Sequence, residues 1–239
     1  MFGWLRRSRG DLPATAVRAL DHLRGLAWPD ERAPIARTRF AIVDTETTSP
    51  DPKRAEPLAI GTCFVDDDAL RMDSTFEIPV RPVRPSGEAN ILIHGIGQAQ
   101  QSNGLPVGDA VSEWLLHATP AVLVGFHALF DATVIARHAR ASIGARLPMQ
   151  WLDVGLLLPA LATHDAPRVR PLDHWLDHFG IHCAQRHGAS ADAFATAQLL
   201  LIALDRARAR GITDVRGLRK LQHDLLKRLP EPGIDATGI

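Results

Sequence analysis

The sequence predicts an α/β fold with a mixed β-sheet flanked by helices. Three observations predict it. Three strand-like runs fill the first half, at 40–43, 58–65 and 75–80. One later run, Ala121-Val-Leu-Val124, is apolar without alternation, as in a strand covered on both faces. Helical periodicities surround that run and occupy the second half of the chain.

Taken in order, residues 13–26 carry a helical pattern with Ala16, Leu20 and Leu23 near one face, ended by Pro29. The stretch to Thr38 is rich in proline and charge and reads as a linker. The strand run Phe40-Ala-Ile-Val43 follows, then two strands joined by a turn at Asp66-Asp67-Asp68. Pro- and Gly-rich loops come next. A helix is predicted from Pro106 to about His117, and others near 130–142, 154–163, 172–179 and 190–209. The last is apolar nearly all round and should lie against the sheet. Gly211 breaks the chain before a basic helix, 215–229, ended by Pro230.

With 239 residues, 46% of them apolar, the chain suits one domain of about 170 residues plus appendages, or at most two small domains. Its formal net charge is zero, with 27 basic and 27 acidic side chains. A protein that coats DNA would be strongly basic, so the charge balance excludes that role and any contact with nucleic acid would be local and transient. Cys63 and Cys183 suggest neither a disulfide framework nor a zinc site, and fit thiols in a reducing cytoplasm. No stretch is long and apolar enough to span a bilayer. The start, Met-Phe-Gly-Trp-Leu-Arg-Arg, is too short in its apolar part for a secretory signal and reads as an arm rather than a membrane anchor.

Four acids and one histidine are the candidates for chemistry. Asp44 and Glu46 follow the first apolar run at i and i+2, so both point to one face of a strand. Two carboxylates leaving a buried strand together repel unless a cation lies between them, although turn or capping acids explain such a pair equally simply. Asp131 stands where a helix should begin, which also suits a first-turn acid. In His187-Gly-Ala-Ser-Ala-Asp192, Ser190 can cap the long helix, placing Asp192 in its first turn and His187 in the preceding loop. A surface histidine is the plain alternative there.

Together these residues resemble the DEDDh exonucleases, the superfamily of the polymerase III proofreading subunit epsilon, RNase T and oligoribonuclease. The resemblance covers about residues 38–206, with 1–37 as a helical arm and linker and 207–239 as a basic tail. Asp44-Thr-Glu46-Thr-Thr matches the first family motif, Gly125-Phe-His-Ala-Leu-Phe-Asp131 the second, and His187 with Asp192 the third. Ile93-His94-Gly95-Ile96 looks like a family loop whose histidine faces substrate, and 172–181 like the helix before the third motif. Phe126-His127 departs from a frequent His-Asn, and His127 is read as packing. Asp153 resembles a frequent family acid and is read as a helix cap.

The resemblance implies a ribonuclease H-like sheet and a 3′→5′ exonuclease using two Mg²⁺ or Mn²⁺ ions, which suit an all-oxygen ligand set. It implies that Asp44 bridges both ions, Glu46 and Asp192 hold one, and Asp131 serves the other. His187 would be the general base, an imidazole having an ordinary pKa near 6.5. Thr47, His94 and Phe130 would hold the terminal nucleotide. The expected substrate is single-stranded nucleic acid, mainly DNA, cut from 3′ ends by a stand-alone or repair enzyme or by a proofreading subunit in a polymerase or repair complex. RNA trimming of the RNase T or oligoribonuclease type, and a non-catalytic polymerase accessory module, are the alternatives.

Overall fold

The computed structural model describes residues 12–144, 151–162 and 168–229. Residues 1–11 of the expected arm and the prolines after Leu229 lie outside these residues. Strand β1 (Phe40–Thr47) is central. It pairs antiparallel with β2 (Pro57–Asp66), which pairs antiparallel with β3 (Ala69–Arg81). On its other side it pairs parallel with β5 (Val122–Gly125), and β5 with β6 (Trp151–Asp153). A two-residue β4 (Leu105–Pro106) closes the far edge, giving the order β4-β3-β2-β1-β5-β6. The sheet is mixed, as the sequence predicts.

The hairpin between β2 and β3 turns at Asp67 and Asp68, with φ of 50° and 59°. Two successive left-handed residues form the turn whose twist matches paired strands, and aspartate tolerates that region better than most residues. β3 is longer than the expected run, because the hairpin pairing starts at Ala69. The expected loops beyond β3 contain two short helices, α2 (Glu88–His94) and α3 (Gln98–Asn103). Neither has a clear apolar stripe, and Leu92 and Ile93 are exposed, so periodicity carries no signal for them.

The remaining helices divide between the two faces of the sheet. α1 (Ala14–Gly25), α4 (Val107–Ala118) and α5 (Leu129–Ile143) share one core with Ala41, Val43, Ile60 and Leu123. On the opposite face α6 (Val154–Ala160), α7 (Leu172–Phe179), α8 (Ala189–Ala209) and α9 (Val215–Leu226) pack with Phe40, Ile42, Val122 and Val124. Alternate residues of β1 therefore serve opposite cores, as a period of two requires.

The predicted linker is pinned in place. Ile35 is buried in a 3-10 turn, Ile35–Arg37, and its N–H donates to the Thr213 carbonyl. Nearby, the Arg216 N–H donates to the Glu31 carbonyl. α9 buries Val215, Leu218 and Leu225. Among the described residues no helix is long and apolar enough to cross a membrane.

Candidate active site

The parity that splits the two cores continues past Val43 to the carboxyl end of β1. Asp44 and Glu46 continue the Phe40/Ile42 side, which faces α8, while Thr45 continues the Ala41/Val43 side, which faces α5. From α8, Asp192 meets the first pair. One carboxylate oxygen from each of Asp44, Glu46 and Asp192 lies within 4.8 Å of the others. From α5, Asp131 receives a 2.6 Å hydrogen bond from Thr45 Oγ1. Asp131 and Asp192 are 4% and 5% exposed, so neither is screened well by water.

Close backbone approach makes this meeting possible. Gly61 pairs with Asp44 across β1 and β2, and a Cβ there would lie 2.2 Å from the Ala189 carbonyl carbon. Only glycine lets the start of α8 sit that close to the sheet. Cys63, two residues along β2, contributes a further contact from Sγ to the Ala193 carbonyl at 3.4 Å.

The start of α8 corrects one expectation. Gly188, not Ser190, occupies the N-cap, and Ser190 lies within the first turn with its N–H donating to Glu77 Oε2 at 2.9 Å. A carboxylate from β3 thus serves a free helix amide, which a neighbouring strand can do as well as a local cap. Asp192 is in the first turn as expected.

Electrostatics single out the strand acids. Burial, then repulsion from Asp131, Asp192 and Glu46, raises Asp44 well above the ordinary carboxylate range. Burial, followed by Asp192 and Asp131, pushes Glu46 up to about 8. Burial raises Asp131 to about 7 against the opposing bond from Thr45. Such a cluster is unfavourable until cations are supplied. An all-carboxylate donor set of this spacing fits hard divalent ions such as Mg²⁺ or Mn²⁺ and offers none of the sulfur ligands that zinc favours.

One cation is already supplied by the chain. Arg186 donates from Nη1 to Asp192 Oδ2, and from Nε to Asp173 Oδ1 at 2.5 Å. Sequence reasoning missed it, although it precedes His187. Cys183 Sγ lies 3.5 Å from the other oxygen of Asp192. His187 is exposed, has a left-handed φ of 62°, and donates its main-chain N–H to Asp192 Oδ2.

The remaining sequence-predicted residues lie on β1, α2 and α5. Thr47 ends β1 at an irregularity in pairing, and its carbonyl accepts a 2.7 Å bond from Asn90 Nδ2, tying α2 to the strand end. His94 is the last residue of α2 rather than part of a loop. It is buried, its Nδ1 accepts the Ile96 N–H at 2.9 Å, and Nε2 has no partner among the described residues. Burial lowers its pKa. Phe130 is half-buried in the first turn of α5.

His127 is exposed, with its ring 4.7 Å from that of Phe126 and a left-handed φ of 54°. Such a conformation costs roughly 1–2 kcal/mol outside glycine. Asp153 occupies the N-cap position of α6, as its reading as a helix cap expects. Its two oxygens also accept the N–H groups of His127 and Ala128 at 3.0 and 3.1 Å, holding the turn before α5.

Comparison with known proteins agrees with this architecture. Residues 41–200 match the RNase_T family model, described as exonuclease. A DNA polymerase III subunit epsilon-like protein of Rhodobacter capsulatus is 28% identical over 183 residues, covering 75% of this chain and 26% of that protein. A PolC-type DNA polymerase III of Thermotoga petrophila is 25% identical, over 77% of this chain and 13% of its own. The chain thus spans about a quarter or less of these relatives' lengths. Escherichia coli exonuclease I in complex with a dT13 oligonucleotide superposes with a TM-score of 0.60 at 17% identity, over 72% of this chain and 42% of its own. Exonuclease X in complex with 5′-overhanging duplex DNA gives 0.58 at 20% identity, over 77% of this chain and 99% of its own. These structures share the fold. With its family match spanning β1 to α8, the chain belongs to the RNase_T exonuclease family, within the DEDDh superfamily.

Proposed function

We propose that the chain is a 3′→5′ exonuclease that removes 5′-mononucleotides from single-stranded 3′ ends, mainly of DNA. The observation that carries this reading is the convergence of Asp44, Glu46 and Asp192 within 4.8 Å, beside a loop that presents an exposed histidine. The carboxylates would hold two divalent ions, Mg²⁺ or Mn²⁺, whose charge would stabilise the attacking and leaving oxygens of the displacement. Asp44 would contact both, Glu46 and Asp192 one, and Asp131 the other.

The chain's own residues supply the rest. His187 takes a proton from the attacking water on a ring nitrogen as the new P–O bond forms. The bond from phosphorus to the 3′ oxygen breaks and that oxygen takes a proton from solvent water, leaving a 5′-phosphate on the released nucleotide and a hydroxyl on the shortened strand. Exposure of the His187 loop lets the proton pass to solvent. Thr47, His94 and Phe130 position the terminal nucleotide.

The DNA-bound exonuclease I and exonuclease X structures favour DNA over RNA as substrate. The epsilon-like and PolC-type relatives support association with a polymerase or repair complex. In this reading residues 38–206 carry the chemistry, the flanking segments are additions to that unit, and the enzyme works in the cytoplasm.

The experiment compares 5′-labelled single-stranded DNA, duplex DNA with a mismatched end, short RNA and circular single-stranded DNA, each with Mn²⁺ and with EDTA. Stepwise shortening of the linear strands, intact circles and silence in EDTA are expected. Rapid cutting of circles would identify an endonuclease, and faster cutting of RNA would move the chain to the RNA-trimming class.

A further inference from the structure

We propose that Gln222, on α9, is a positioning residue for Asp131 and acts through Asp153. The proposal rests on the assignment of Asp131 to metal binding made above. α5 begins without a side-chain cap of its own: Ala128 stands at the N-cap, preceded by left-handed His127. The first free amides of a helix must find partners elsewhere. Here Oδ1 of Asp153 takes the His127 N–H at 3.0 Å and Oδ2 takes the Ala128 N–H at 3.1 Å. Asp131 follows three residues after Ala128, so the entry of this turn decides where its carboxylate meets Thr45 Oγ1.

Asp153 must itself be held. It ends the three-residue edge strand β6, which pairs only with β5 among the described strands. Its own N–H donates to Gln222 Oε1 at 2.9 Å, a bond spanning 69 positions of sequence. Gln222 is placed by α9, which buries Leu218 and Leu225 on either side of it in sequence and is capped by Asp214. α9 lies beyond the residues matched by the family model. The link from Gln222 to Asp153 to the His127–Ala128 turn is therefore anchored in a helix outside the residues that the family model matches.

The test uses the full chain. In Gln222→Met, which removes the acceptor oxygen with little change of volume, amide exchange at His127 and Ala128 should accelerate about tenfold or more. The same variant should lower kcat about tenfold with KM changed less than about twofold, the signature of misplaced catalytic groups. Gln222→Glu keeps an acceptor oxygen and should restore both readouts. Gln222→Ala should behave like Gln222→Met and serves if the latter does not fold. Arg216→Ala, on the outward side of α9, should change neither. Exchange rates and kcat within about twofold of wild type in both Gln222→Met and Gln222→Ala would overturn the proposal. Mn²⁺ calorimetry on the wild type tests the metal assignment separately, since the exchange rates need no metal.

Discussion

The main-chain N–H of His187 donates to Oδ2 of Asp192 at 3.1 Å, while its imidazole remains exposed. The bond that shapes the loop is thus independent of the side chain that would act as base. His187→Ala should keep the loop and the carboxylate in place. It should lower kcat by roughly 10²–10⁴ and leave Mn²⁺ affinity by calorimetry nearly unchanged. An unaltered kcat would remove the base role, and a large loss of Mn²⁺ binding would make His187 a ligand.

The clustered acids predict an inverted pH dependence for the metal-free protein. Glu46 and Asp131 hold their protons more tightly when folded, up to about 8 and about 7, than when unfolded. Their contribution to stability is full below the unfolded values near 4 and is lost as pH rises through the folded ones. Asp44→Asn, which removes one charge from the same cluster, should therefore unfold at a higher temperature than wild type at pH 8. The difference should shrink towards pH 5. His94 and His138, lowered mainly by burial, slope the other way but act equally in both proteins and cancel in the difference. Activity should be nearly abolished in Asp44→Asn, and more than about a tenth remaining under saturating Mn²⁺ would remove the two-ion assignment.

Arg186 should compete with added cations. Arg186→Met breaks its pairing with Asp192 and Asp173 and leaves buried Asp192 without that counter-charge. Metal-free stability should fall by roughly 1–3 kcal/mol, reduced from the fully buried case because Asp173 is largely exposed. Mn²⁺ should then raise the unfolding temperature more in the variant than in wild type. An equal rise in both would show that Arg186 does not oppose cation binding.

Gly61→Ala tests the approach of α8 to the sheet. The added methyl would meet the backbone of Ala189 and Ser190, which cannot yield as a side chain tip can. We expect a loss of roughly 1–3 kcal/mol in thermal unfolding. Activity should fall further than that loss explains, on the order of 10²-fold, because a shift of about 1 Å in Asp192 relative to Asp44 spoils the ligand geometry. Full activity at a temperature where the variant is folded would show that the close approach does not place Asp192.

The elements best read from sequence are those with a local apolar run or stripe. β1, β2 and α8 are rich in apolar residues throughout, α1, α4 and α7 follow helical spacing, and their predicted positions agree with the structure to within a few residues. α2 and α3 were not legible, because helices of seven and six residues, one with its apolar side chains exposed and the other nearly all polar, carry no periodic stripe. The Ser190 cap failed for a different reason: Glu77, 113 positions earlier, takes the amide bond from another strand. Thr45 was open to inference, since it lies between Asp44 and Glu46 and must face the other way, but its partner Asp131 was not.

By itself the sequence determined the chain order of the acids, the shared face of Asp44 and Glu46, and the membership of Asp192 in the first turn of a long helix. Each of these depends only on the geometry of one element. Tertiary structure alone decided that Gly61 admits α8, that Arg186 bridges Asp192 and Asp173, and that Gln222 holds Asp153. These relationships join separate elements through close packing and single hydrogen bonds. Their formation depends on the sub-ångström fit of surfaces distant in sequence, which no local periodicity records.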